Sequence, residues 1–133
     1  MKLTFFKHKS SQEAFNNWIS EIIITENPDK SIIAYNIGLI ETQSGYSAYF
    51  MGAKKYDEND SDWACDFGDY TPNKKYLDLS NTDLKGLSWD KVQENIIKYF
   101  NDFMTTKIYN DSFLQNATAI TVGFDDGDLI RVK

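Results

Sequence analysis

Apolar residues recur along this chain at two different periods, and the order in which those periods alternate narrows the folds open to it. Phe15, Trp18, Ile19, Ile22 and Ile23 follow steps of three and one, the stripe of an amphipathic helix. Ser10 followed by Glu13 reads as a capping box at its start, and Asn27-Pro28-Asp29 ends it. From Ile32 to Glu41 the period falls to two: Ile33, Tyr35, Ile37 and Leu39 alternate with Ala34, Asn36 and Gly38, as in a strand with one buried face. Thr42-Gln43-Ser44-Gly45 reads as a compact turn into a second strand over 46–53. That strand carries Tyr46, Ala48 and Phe50 on one face and Tyr49 and Met51 on the other. A strand apolar on both sides is either central and covered twice, or it turns its second face to a partner.

The same alternation continues towards the C-terminus. Trp63, Cys65 and Phe67 predict a short third strand emerging from a polar loop, and Lys75 to Leu79 a fourth after Thr71-Pro72-Asn73. Trp89, Val92, Ile96, Tyr99, Phe100 and Phe103 restore the helical period over about 89–106. Ser88 is placed to cap this helix, with Asp90 near its positive end and Lys107 near its negative end. Thr118, Ile120, Val122 and Phe124 then alternate again. Asp125-Asp126-Gly127 reads as a hairpin turn whose glycine supplies a positive φ, leading to a last strand over 128–132. Helix, strands, helix, hairpin is not a regular βαβ alternation. The pattern predicts an α+β fold: a mainly antiparallel sheet of about five to six strands with two amphipathic helices packed on one face.

The 133 residues suit one domain spanning 1–133, since a second core would lack material. With 9 Phe, 8 Tyr and 3 Trp, the chain holds enough large side chains to offset the entropy of ordering it. Lys2, Lys7, His8 and Lys9 surround too short an apolar run for a signal peptide, and no apolar run approaches the roughly 20 residues of a membrane span. Cys65 is the single cysteine, so nothing in the sequence requires an oxidising compartment, and a cytoplasmic location is expected.

Nucleophilic catalysis needs a base beside the nucleophile, and the one histidine, His8, sits near a terminus. Phosphate-loop, dinucleotide and nucleophile-elbow signatures are missing from the sequence. Aspartates around Cys65 disfavour its thiolate, the opposite of what a reactive cysteine requires. Asp57, Asn59 and Ser61 match the first three ligand positions of a calcium loop, but the turn glycine is replaced by Asp62 and the bidentate glutamate by Gly68. A binding protein without catalytic residues, metal or cofactor is therefore the expectation, ahead of an enzyme using carboxylates or a noncanonical metal ion.

What remains is charge. Twenty acidic residues against 14 basic ones give a net charge of -6, which disfavours nucleic acid and anionic membrane and suits a partner with a basic surface. Six of those acids, Asp57, Glu58, Asp60, Asp62, Asp66 and Asp69, lie between Lys55 and Lys74 with no basic residue among them. Trp63, Phe67 and Tyr70 are interleaved with them, so aromatic anchors and steering carboxylates share one segment. Asp57, Glu58, Asp60, Asp62, Trp63, Asp66, Asp69 and Tyr70 are accordingly the candidate partner-binding residues.

In the stretches Tyr35-Asn36-Ile37-Gly38-Leu39-Ile40-Glu41-Thr42, Asp62-Trp63-Ala64-Cys65 and Phe124-Asp125-Asp126-Gly127-Asp128 the chain resembles the small acidic immunity proteins of bacterial toxin systems. Those families differ in fold, so the resemblance implies a role and not a topology. It implies a protein that neutralises a cognate toxin, often a nuclease with a basic active site, by covering it. The alternative is a structural or regulatory interaction domain that forms a homodimer through the face carrying Tyr49 and Met51.

Overall fold

In the computed structural model, which describes residues 9–133 apart from the side chains of 66 and 67, five strands form one sheet with helices on one side. Helix α1 (Ser11–Thr25) begins where Ser10 Oγ accepts the Glu13 amide at 3.2 Å. It ends at Thr25, three residues before Pro28, with Glu26 already extended. Strands β1 (Ala34–Thr42) and β2 (Gly45–Ala53) pair antiparallel around the tight turn at 43–44. A short β3 (Tyr76–Asp78) borders β2. Helix α2 (Trp89–Phe103), the single-turn α3 (Lys107–Asn110) and a 3-10 turn (Phe113–Asn116) lead to β4 (Ala119–Phe124), whose hairpin partner is β5 (Ile130–Arg131).

The strand order is β3-β2-β1-β4-β5. All pairings are antiparallel except β1 with β4, which run parallel with Ile37 opposite Val122. The α+β class, the mainly antiparallel sheet and the two helices on one face are as the periodicity predicts. The period-two residues Tyr35, Ile37, Leu39, Phe50, Ile120 and Val122 point to the helices and pack with Phe15, Ile19, Ile22, Ile96 and Phe100 in one core. Each of these is almost fully excluded from water, and such burial stabilises by about 1.5–3 kcal/mol per large apolar side chain. Among the described residues no helix is long and apolar enough to cross a membrane.

Several expectations need correction. Residues 61–67 form a 3-10 helix (Ser61–Phe67), not a third strand, and lie across the second face of the sheet. Trp63 and Ala64 from this helix pack with Ala34, Tyr49, Met51 and Ala53 in a second, smaller core. The face carrying Tyr49 and Met51 is thus covered by the chain itself, and those two residues are not available as a dimer surface. Ser88 precedes α2 as expected, but its hydroxyl donates to the Asp90 carboxylate and makes no cap to the backbone. Lys107 opens α3 and pairs with Asp111. Trp89, counted with the core stripe of α2, is 56% exposed, because the first residue of the helix overhangs the end of the sheet. Gly127 does not have a positive φ, since the connection over 125–129 is long enough to reverse without a mirror-image turn.

Candidate functional site

The acidic segment is built by its own backbone. Asp57 Oδ1 accepts the Asn59 amide at 2.9 Å, and Asp60 Oδ1 accepts the Asp62 amide at 3.0 Å, capping the 3-10 helix. Short acidic side chains at these positions satisfy amides that would otherwise lack partners, and both residues remain exposed. After the helix, Gly68 takes φ 57° against the carbonyl of Gly52. A Cβ there would approach that oxygen to 2.6 Å, so glycine is required. Gly52 O then accepts the amides of Asp69 and Tyr70, at 2.9 and 3.1 Å, which stitches the segment back onto β2.

Trp63 and Tyr70 of this segment face inward. Trp63 is 5% exposed and meets the Tyr56 ring edge-on at 5.2 Å. The Arg131 guanidinium lies over the other part of that pair, 5.4 Å from the Tyr56 ring centre. Tyr70 reaches around to the helix side, where its hydroxyl donates to Glu26 at 2.6 Å. Burial first, and then that carboxylate, push the Tyr70 hydroxyl well above the ordinary tyrosine range. These side chains fasten the loop to the sheet, and Trp63 has almost no surface left to offer as an anchor.

Asp57, Glu58, Asp60, Asp62 and Asp69 are all exposed. They do not form one cluster. Asp69 accepts the Lys54 amide at 2.7 Å beside β2, and the Asp66 side chain lies outside those described. Asp57, Glu58 and Asp60 instead line a cleft of about 320 Å³ whose opposite wall is Asp128, from the turn after β4. A second cleft of about 280 Å³ adjoins it, lined by Ser61, Cys65, Tyr49 and Asp125. Among the described residues no lysine or arginine lines either one.

Parallel pairing of β1 and β4 brings about this meeting. It carries the end of β4 to the side of the sheet already covered by the 3-10 helix, so two acidic stretches about 65 residues apart in sequence share a rim. Asp125 is held in place by Tyr49, whose hydroxyl donates to its carboxylate. Burial and that bond keep the Tyr49 proton on, with its pKa raised above the usual value. Beneath the rim, Thr121 Oγ1 donates to Asn36 Oδ1 at 2.8 Å, one of the few polar contacts inside the second core.

In the sequence Asp125, Asp126 and Asp128 stand out as a second acidic knot, for which a hairpin turn is the reading ahead of a metal site. The repeated Asp at 125, 126 and 128 was the available signal, but its proximity to Asp57 depends on strand pairing across the whole chain. Cys65 is exposed and lies 3.9 Å from an Asp62 oxygen. Among the described residues no three Asp, Glu, His or Cys side chains converge to hold a metal ion, and His8 lies outside those described. Compared with known protein families, curated proteins and solved structures, the chain matches none.

Proposed function

We propose that this protein is a binding protein that covers a basic surface on another protein, and that it acts as an immunity protein against a cognate bacterial toxin. One observation carries the reading: Asp57, Glu58 and Asp60 line one cleft together with Asp128, and among the described residues no lysine or arginine lines it, the Arg131 guanidinium being held on the Tyr56 ring. Like charges gathered from two distant segments repel one another, and an oppositely charged partner relieves that repulsion. A nuclease whose nucleic-acid site is basic presents such a partner surface, and occupying that site needs no chemistry from the inhibitor. The resemblance to immunity proteins favours the same role.

The test is whether the adjoining upstream frame encodes a large secreted protein with a small basic C-terminal domain, followed by co-expression with that domain. Survival of the host and a stable purified complex are expected, and neither would occur if the reading is wrong. The variant Asp57→Asn/Glu58→Gln/Asp128→Asn keeps the amide-accepting oxygen at position 57 while removing three charges. It should slow association about tenfold or more and flatten its salt dependence. An unchanged rate and salt slope would rule out this face.

A further inference from the structure

At the end of the sheet next to the acidic clefts, the chain leaves an apolar groove of about 450 Å³ that neither core fills. Leu39 and Phe124, buried at the parallel ends of β1 and β4, close its floor, and the half-buried Ile40 lines it. Trp89 forms one wall, 56% exposed and set edge-on to Phe124 at 6.0 Å. Among the described residues every charged one lining it is acidic: Glu41, Asp125 and Asp126. Leu87, 38% exposed, and Asp90 extend the same surface around the start of α2.

A half-exposed tryptophan is unusual in a chain that buries its other two, Trp18 and Trp63, to 6% and 5%. Its position is fixed by the fold: Tyr46 donates to the Leu87 carbonyl at 2.6 Å, which ties the segment before α2 to β2. An indole face next to three carboxylates suits a flat cation. It attracts positive charge through its ring quadrupole, and the carboxylates accept hydrogen bonds from the same group. Guanidinium meets both demands, because it stacks on rings and donates in a fixed fork, whereas an ammonium is a compact, strongly hydrated charge.

We propose that this groove receives an arginine side chain from the partner protein, with the guanidinium on Trp89 between Glu41 and Asp126 and the neighbouring apolar residue beside the half-buried Ile40. The inference rests on the binding role above for the occupant being a protein, and it adds what that protein must present.

A blocked leucyl-arginine dipeptide is the probe, with the citrulline analogue as its uncharged match. Titration into the isotope-labelled protein should move the Trp89 indole resonance saturably at millimolar concentration, with the signal assigned by its loss in Trp89→Phe. The citrulline peptide should bind about tenfold more weakly, and Glu41→Gln/Asp126→Asn should remove that difference. Equal response to both peptides would make the groove a site for uncharged apolar ligands and overturn the proposal, as would no saturable response. Concentration-dependent dimerisation abolished by Trp89→Ala would overturn it too, by assigning the groove to a second copy. These outcomes do not depend on the toxin: a peptide response without toxin neutralisation would refute the immunity role alone, and the reverse would refute the groove alone.

Discussion

Gly38 illustrates how one position ties the sheet to the candidate site. It sits opposite Tyr49 in the β1–β2 register, and the phenol ring lies flat across the space a side chain would need. A Cβ at 38 would fall 1.9 Å from a Tyr49 ring carbon. The ring cannot swing aside freely, because its hydroxyl is engaged by Asp125 and its edge is buried beneath the 3-10 helix. Gly38→Ala is therefore expected to destabilise by about 1–3 kcal/mol through overpacking. It should also release Asp125, which couples the core to the acidic rim. Gly127→Ala is the contrast: a Cβ there meets only Phe124 atoms at 3.8 Å, and φ is already ordinary. Urea denaturation of both variants checks the pair, and similar losses in the two would contradict the assignment.

Among the elements, the ones with long apolar periods were legible and the acidic segment was not. Helices α1 and α2 and strands β1, β2 and β4 each bury a regular set of side chains, so their period reports their surroundings. Trp63, Cys65 and Phe67 also alternate, but a 3-10 helix has a period near three, so Trp63 and Ala64, adjacent in sequence, both reach the sheet. Three alternating residues are too few to separate those periods. The same limit hid the exposure of Trp89, which obeys the α2 stripe but stands at its first turn, beyond the edge of what the sheet can cover. As a covering element, the 3-10 helix should matter for stability out of proportion to its length. Trp63→Ala removes the largest side chain of the second core and is expected to cost about 3–5 kcal/mol. With that cover loosened, Tyr49 and Met51 become an exposed apolar face, so self-association should appear in sedimentation. Retained stability with no association would mean that the segment merely rests on the sheet.

At the scale of the whole molecule, tyrosine distribution makes stability depend on alkaline pH. Burial, the largest cause in each case, raises the pKa of Tyr35, Tyr46, Tyr49, Tyr70, Tyr99 and Tyr109 above the ordinary 10.0. Carboxylates accepting from Tyr49 and Tyr70 add to the effect, because a phenolate there would face Asp125 or Glu26. The folded chain therefore keeps protons that the unfolded chain releases once pH exceeds about 10. The stabilisation is fully present below that value and is lost progressively as pH rises beyond it. Lys133 works in the opposite sense, its pKa lowered by burial from 10.5, but it is one partly covered group against six. Both cores contribute, since Tyr35 belongs to the helix side and Tyr49 to the other, so neither layer escapes the titration. The urea midpoint should hold steady from neutral pH to about pH 9 and then fall steeply above 10. Phenolate absorbance should rise together with the loss of helical circular dichroism, because most of these hydroxyls ionise only when the chain opens. Tyrosines that all titrate near 10 while the fold stays intact would contradict the burial on which both layers depend.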